Sequence, residues 1–139
     1  MRNEQNFIRE INHNNAALEA DFCCDCGSEI FRIAHSGHLR KGLFGSISIS
    51  ERQNQLLIKC SCTNCGKQFH LYNSTKDGST PQETLVSECA PLTVKGENSF
   101  HIKLRYNFME EHYKTDQFEM FFLDVKIPGA KKYITVCEL

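Results

Sequence analysis

Hydrophobic and polar residues alternate most regularly in the last third of the chain. From Phe100 to Phe108 every second residue is apolar, and polar side chains separate them. A period of two is typical of a strand that buries one face. An apolar run within 118–127 predicts a second strand that is buried on both faces and therefore central, and 133–139 predicts a third. We therefore expect a meander of three antiparallel strands.

The pattern is less regular in the first two thirds of the chain. Residues 4–20 have apolar side chains near helical spacing and predict a short N-terminal helix, although asparagines weaken its middle. Further strands are predicted at 30–34, 46–50, 55–60 and 68–72. Residues 75–98 predict a linker or loop region, because 73–81 is rich in turn formers. A short helix at 82–89 or a strand at 92–94 is possible within it. The predicted fold class is mainly β, α+β at most.

Composition narrows the class of protein. The chain has 139 residues, 40% hydrophobic and 24% charged, which suits one globular domain. No apolar run is long enough to span a bilayer, and the polar residues 1–6 are not followed by the apolar core of a secretory signal. These features predict a cytoplasmic protein with no membrane association. In a reducing compartment, eight cysteines favour a metal site over disulfides.

Two copies of the motif C-x-x-C-G carry the most specific chemical information. Such a turn aims two sulfurs at one metal, and two turns supply the four thiolates of a closed tetrahedral site. The predicted ligands of one structural Zn²⁺ are Cys23, Cys26, Cys62 and Cys65. Cys24 and Cys60 are adjacent alternatives, each able to replace a neighbour, although we expect both to be spare thiols. Spacing alone does not distinguish zinc from iron.

The order of knuckle, strands, knuckle and strand resembles the zinc ribbon fold group. The resemblance covers residues 20–74, and it implies a fold and a structural zinc but no single activity. The 35 residues between Cys26 and Cys62 exceed the roughly 15–20 that usually separate such pairs, so an extended or additional hairpin is expected. The predicted regions, packed as one compact unit, are an N-terminal helix at 1–20, a ribbon-like region at 21–76 and an antiparallel β region at 77–139.

Charge is uneven along the chain. The formal net charge is −1, but residues 27–76 carry seven Lys or Arg against two Asp or Glu. A basic loop with one aromatic side chain suits contact with phosphates and an unpaired base, although a solvated loop is the simpler interpretation. The candidate nucleic-acid or partner-binding residues are Arg32, His35, His38, Arg40, Lys41, Phe44 and Lys59. Polar residues along the strand that includes His101, Lys103 and Arg105 could also contact phosphates or simply face solvent.

No catalytic motif is evident in the sequence, and a metal with four cysteine ligands has no open position for water. We therefore expect a non-enzymatic zinc protein that binds a macromolecule as an adaptor or regulator. The partner is a protein or a nucleic acid, and a homodimer is compatible with the sequence. The alternative is a small enzyme or enzyme subunit with a structural zinc and an active site in the C-terminal sheet, near His101, Glu110 and His112.

Overall fold

The computed structural model describes residues 8–13, 17–43, 46–53, 55–73, 89–107 and 120–139, and these form β-strands joined by turns. The strands are β1 (Ile8–His13), β2 (Ala17–Phe22), β3 (Phe31–His35), β4 (His38–Lys41), β5 (Ile47–Ser50), β6 (Leu57–Cys62), β7 (Gln68–Asn73), β8 (Ala90–Pro91), β9 (His101–Asn107), β10 (Met120–Lys126) and β11 (Ile134–Glu138). Among the described residues, none forms a helix long and apolar enough to cross a membrane. The mainly β fold class is confirmed for this part of the chain.

The strands form two sheets. Sheet A has the order β1-β2-β9-β10-β11-β5-β4, and sheet B has the order β7-β6-β3-β8. Neighbouring strands are antiparallel except β11 and β5, which pair in parallel with Cys137 opposite Ile49. The predicted meander is confirmed as β9-β10-β11, and its second strand is the middle strand of sheet A.

The predicted N-terminal helix is wrong where the structure describes the segment. There the chain forms β1 and β2, and β2 pairs with β9. In β2, Ala20 and Phe22 are buried while Glu19 and Asp21 are only half-buried, so burial alternates with a period of two. Pairing with a long neighbouring strand therefore prevails over weak helical spacing. Residues 1–7 and 14–16 lie outside the described part.

The remaining predicted strands of the first two thirds correspond to β3, β5, β6 and β7. Strand β8 begins two residues before the predicted strand at 92–94, and the Leu92 N–H donates to the Ile33 carbonyl at 2.8 Å. Pro91 cannot donate a ladder hydrogen bond, which suits its position in an edge strand. The alternative helix at 82–89 falls mostly on residues outside the described ranges.

A single hydrophobic core lies between the two sheets. Phe22 from sheet A packs edge-to-face against Phe31 and Phe69 of sheet B, with ring centroids 5.2 Å apart in both pairs. Phe31 and Phe100 also exchange backbone N–H···O bonds of 2.8 Å, which join β3 to the start of β9. Burying each such ring contributes on the order of 1.5–3 kcal/mol, so these contacts hold the sheets together at one end.

The chain passes from sheet B to sheet A between β3 and β4. At this crossing, a Cβ on Gly37 would lie 2.3 Å from the Ser50 carbonyl oxygen and 2.8 Å from the Leu56 side chain. Glycine is therefore required by the close approach of two backbone segments. The additional hairpin expected between the two cysteine motifs is present as β4 and β5, but it extends sheet A rather than the sheet that carries the second motif.

Candidate metal centre

The first cysteine turn follows β2 directly. The Cys24 N–H donates to the Ser28 carbonyl at 2.9 Å, and the Gly27 N–H donates to the Cys24 carbonyl at 3.0 Å. Gly27 has φ +95°, a conformation that residues with a Cβ rarely adopt. The backbone thus reverses between Cys24 and Ser28, and both thiols of Cys24 and Cys26 lie on this turn.

The second cysteine turn joins β6 to β7. The Gly66 N–H donates to the Cys62 carbonyl and the Cys62 N–H donates to the Lys67 carbonyl, both at 2.9 Å. Gly66 has φ +79° and so plays the same part as the glycine of the first turn. The second turn is one residue longer, which matches its wider spacing of two residues between the cysteines.

Four thiols from these turns meet in one group. The sulfur atoms of Cys24, Cys26, Cys62 and Cys65 all lie within 4.8 Å of one another. Cys24 and Cys65 are 3.5 Å apart at Sγ, as are Cys26 and Cys62. Tetrahedral coordination with metal–sulfur bonds of about 2.3 Å sets sulfurs about 3.8 Å apart, whereas a disulfide needs about 2.05 Å. The group therefore has the dimensions of a site for one metal ion, and its cysteines are free thiols.

The cysteine group differs from the predicted ligand set at one position. Three of the four predicted cysteines belong to the group, but Cys24 occupies the fourth position and Cys23 is not part of it. The alternation of β2 explains the difference, because Cys24 continues the buried side of Phe22 and Cys23 continues the opposite side with Asp21. The two cysteines that the first turn contributes to the group therefore have the spacing C-x-C. The alternation of buried and half-buried residues along β2 distinguishes Cys24 from Cys23, whereas motif spacing alone does not.

Cys60 does not join the group either. It is buried in the core on β6 and is 2% exposed, with a pKa raised by burial and by the nearby Cys24 and Cys62 thiols. Cys137 is buried in a similar way on β11, and burial followed by the charge of Glu51 raises its pKa to about 12. Both therefore act as small hydrophobic residues of the core.

Backbone N–H groups favour the thiolate at Cys62. Burial by itself raises the pKa of this thiol, but the backbone N–H groups of Cys65 and Asn64 act together with the side chains of Cys26 and Ser28 and lower the pKa to about 6. The Asn64 N–H lies 3.4 Å from the Cys62 sulfur. Hydrogen bonds from the second turn thus prepare a ligand in its charged form.

The two thiols of the first turn have pKa values shifted in opposite directions. The backbone N–H of Ser28 and the side chain of Asn64 lower the pKa of Cys26, and the Asn64 Nδ2 lies 3.6 Å from its sulfur. Burial raises the pKa of Cys24, which is 4% exposed. A buried sulfur without a metal thus stays protonated, and a cation at the centre of the group would supply the charge that favours its ionisation.

Exposed polar contacts connect the two turns. Lys67 Nζ lies 2.9 Å from the Asp25 carboxylate, with both side chains about half exposed. The Thr63 N–H and hydroxyl both donate to the Ile30 carbonyl at 3.1 Å. Exposed ion pairs contribute only about 0–1 kcal/mol, so the thiol group is the main candidate for holding the turns together.

The structure separates the predicted partner-binding residues. Arg32 and Lys59 lie on the face of sheet B that is turned away from the core, called here the outer face of sheet B. With Ser61, Gln68 and Pro91 they line a shallow groove. Strands β3, β6, β7 and β8 contain no Asp or Glu, so these two cations have no carboxylate neighbour within their own sheet.

The other predicted residues lie elsewhere. His38, Arg40 and Lys41 are exposed on β4, at the edge of sheet A. His35 is buried rather than solvent-facing. Its Nδ1 accepts the Gly37 N–H at 3.2 Å, and this hydrogen bond anchors the crossing between the sheets. Burial lowers its pKa. Phe44 lies outside the described residues. The predicted basic residues are divided between the outer face of sheet B and the edge of sheet A.

The basic side chains of β9 are paired with carboxylates. Arg105 binds Asp124 through two hydrogen bonds of 2.7 and 3.1 Å, and Lys103 lies 3.3 Å from Glu19. This face is therefore less suited to phosphate contact than the outer face of sheet B. Glu110 and His112, proposed to share a cleft with His101, lie outside the described residues.

The fold and the thiol group define a two-sheet β protein with a candidate four-cysteine metal centre. Comparison of the chain with protein-family models, curated proteins and solved structures found no match. The function is therefore inferred from the four sulfurs and from the surfaces of the two sheets.

Proposed function

We propose that Cys24, Cys26, Cys62 and Cys65 hold one structural Zn²⁺. The close approach of all four sulfurs supports a single ion rather than a polynuclear iron–sulfur cluster, whose cysteines bind separate irons. Four thiolates fill a tetrahedral shell and leave no position for a reacting water. The ion therefore serves the fold and performs no catalysis.

The position of the site supports its structural role. Cys24 and Cys26 follow a strand of sheet A, whereas Cys62 and Cys65 lie between two strands of sheet B. One bound ion therefore links the two sheets at the end of the core where Phe22 packs against Phe31 and Phe69. This link between sheets is the observation that carries the proposed function.

We further propose that the protein is a non-enzymatic adaptor that binds a phosphate-bearing macromolecule on the outer face of sheet B. The basic residues Arg32 and Lys59 flank the groove there, and the strands of this sheet lack acidic residues. On sheet A, by contrast, Lys103 and Arg105 are paired with carboxylates. Phosphate oxygens fit two cations and the polar side chains between them, so nucleic acid is the first partner class.

The proposal is tested by fluorescence anisotropy with a labelled single-stranded oligonucleotide. We expect the double variant Arg32→Gln/Lys59→Gln to weaken binding about tenfold or more, and to reduce the slope of log K against log salt by about 1.4. The matched control is Arg40→Gln/Lys41→Gln, which removes the same charge from β4. Equal losses in both variants, or no binding to the wild-type protein, would exclude nucleic acid recognition by this face.

Two further measurements separate the parts of the proposal. Elemental analysis of protein purified without added metal should give one zinc per chain, and iron or no metal would reject the zinc assignment. Competition with polyglutamate distinguishes an acidic protein partner from nucleic acid. Displacement of the oligonucleotide only by another nucleic acid supports the first partner class, whereas tighter binding of polyglutamate supports a protein partner.

A further inference from the structure

Strand β4 forms an open edge of sheet A. In the described part of the chain β4 pairs only with β5, and it is the last strand of the sheet. All four of its residues are exposed, and none is proline. The edge of sheet B at β8 is instead two residues long and contains Pro91. The edge at β4 can therefore accept another strand, whereas the edge at β8 is protected.

The register with β5 shows which backbone groups of β4 point towards this edge. Directly after β4, the Gly42 N–H donates to the Ser46 carbonyl at 2.9 Å. In an antiparallel ladder such pairs alternate with pairs that exchange no hydrogen bond, and Leu39 and Lys41 belong to the second kind. The N–H and C=O groups of Leu39 and Lys41 therefore point away from β5, towards the open edge.

Apolar side chains are exposed at the same edge. Leu39 is 38% exposed and Leu43, just beyond β4, is 82% exposed, and these are the large hydrophobic side chains that the described part of the chain leaves exposed. Leu39 lies opposite Ile49, a core residue, so its side chain is on the core face of sheet A. Every second side chain of a strand added beside β4 would cover Leu39.

The charge of the edge indicates the kind of strand that fits it. Strands β4 and β5 contain no Asp or Glu, and β4 carries Arg40 and Lys41 beside His38. The next charged residues after β5, Glu51 and Arg52, have opposite signs. Two copies of this basic strand would repel one another, which disfavours pairing of β4 with a second copy of itself. A strand that bears carboxylates is favoured instead.

We propose that β4 binds an extended acidic segment of a partner protein by β-strand addition. In this mode of binding, main-chain hydrogen bonds give affinity and alternate side chains give specificity. The backbone groups of Leu39 and Lys41 supply the hydrogen bonds. Apolar side chains of the segment cover Leu39, and its acidic side chains lie on the opposite face, beside Arg40. This edge is separate from the outer face of sheet B, so it does not depend on the nucleic-acid site proposed above.

The test is an NMR titration of the purified full chain with the peptide acetyl-Glu-Val-Glu-Val-Glu-Val-Glu-amide. We expect saturable shifts and slower hydrogen exchange of the Leu39 and Lys41 amides, because each N–H gains an acceptor. Arg40→Glu should weaken the affinity about tenfold, and this variant should bind the peptide in which lysines replace the glutamates. Lys131→Glu, exposed between β10 and β11, is the matched control and should leave both affinities unchanged.

Alternate N-methylation of the peptide distinguishes strand addition from simple charge attraction. Successive residues of a strand direct their N–H groups to opposite edges, so methylation of the valines blocks one edge and methylation of the glutamates blocks the other. We expect one methylated peptide to lose binding and the other to retain it.

Three results would overturn the proposal. They are equal affinities of the two methylated peptides, no saturable shift at Leu39, and equal binding of the lysine peptide to the wild-type protein. A native mass of two chains with the Leu39 amide already protected would assign the edge to a second copy and would also overturn it. Oligonucleotide binding is tested at Arg32 and Lys59, which this titration leaves unaltered, so the two proposals fail separately.

Discussion

The sulfur atoms of Cys24 and Cys65 lie 3.5 Å apart although 41 positions separate them in the chain. Cys24 follows a strand of sheet A, and Cys65 follows a strand of sheet B. Bringing such distant residues together costs loop-closure entropy in the folding chain, and a shared ligand recovers it only in the native state. A metal ion held by the four cysteines would therefore link the two sheets.

The identity of the fourth ligand gives the sharpest test. Cys24→Ser should abolish stoichiometric metal binding, because it removes a sulfur from the group. Cys23→Ser should retain one metal per chain, since Cys23 lies on the other side of the strand extension. Both variants remove one adjacent thiol, so each controls for the other in metal analysis of the purified proteins. Metal loss in Cys23→Ser with retention in Cys24→Ser would reverse the assignment.

Metal removal should loosen one end of the molecule first. After chelation, or in Cys62→Ser, we expect amide exchange protection to fall in both cysteine turns and in β3, β6 and β7. Protection in β9 and β10 should persist, because these strands pair with each other over their whole length and neither leads into a cysteine turn. The Tm should fall by roughly 5–10 °C. Unchanged protection at Cys62–Lys67 would refute a structural role, and uniform loss throughout β9 would show that the effect is global.

The crossing between the sheets should tolerate no side chain. Gly37→Ala would place a methyl group 2.3 Å from the Ser50 carbonyl oxygen, and we expect a loss of about 1–3 kcal/mol in the free energy of unfolding. In Gly42→Ala the nearest atom, also at 2.3 Å, is the Ser46 hydroxyl, which can rotate away. That control should change stability by less than about 0.5 kcal/mol in urea denaturation. Similar losses in the two variants would argue against a packing cause at Gly37.

The Arg105–Asp124 pair should show strong coupling. Arg105→Met would leave the Asp124 carboxylate, only 6% exposed, without its cation, and we expect a loss of about 3 kcal/mol. The double variant Arg105→Met/Asp124→Leu should recover most of that loss, since no buried charge remains. Lys103→Met breaks the longer pair with Glu19 and should cost about 1 kcal/mol or less. Additive losses in the cycle would contradict this account.

His35 should make stability depend on pH. Burial lowers the pKa of His35 below the usual 6.5, so the unfolded chain binds the proton more readily. The contribution of the neutral ring is therefore complete above about pH 6.5 and is lost as the pH falls towards the native pKa. His35→Asn keeps an acceptor for Gly37 but does not titrate.

The measurement is the urea midpoint at about pH 7 and about pH 5.5. Wild-type protein should lose more stability between these values than His35→Asn, whereas exposed His38→Asn should follow the wild type. Acid release of the metal affects all three proteins and cancels in the comparison. A pH dependence that is the same in His35→Asn and wild type would exclude the buried imidazole as its cause.

Strands with strict alternation could be predicted from the sequence. Residues Ile102, Leu104 and Tyr106 are buried on β9 as their spacing indicates. A strand that buries one face has apolar residues at every second position, and this pattern is visible in the sequence. The middle position of β10 was also predicted from its apolar run. Its Asp124 is buried on the outer face beneath Arg105, a pairing across strands that no local pattern reveals.

The differences between the sequence-based predictions and the structure have a common physical origin. Residues 17–22 form a strand because β9 provides a partner distant in sequence, and residues 8–13 pair in turn with 17–22. A local helical spacing cannot indicate either pairing. Cys23 was chosen by motif spacing, whereas the phase of burial along β2 brings Cys24 to the metal group. The basic residues near 32–41 were grouped by proximity in sequence, and the crossing at Gly37 places them on different sheets. Tertiary pairing decided each case.

The parallel pairing of β11 with β5 has a consequence for the order of assembly. Strands β4 and β5 are made early in synthesis, but their link to the rest of sheet A is Cys137 opposite Ile49. During translation this hairpin therefore cannot join the rest of sheet A, and the edge of β5 stays unpaired, until β11 has emerged. The nascent chain is thus most exposed to aggregation just before synthesis reaches the strand that completes the sheet.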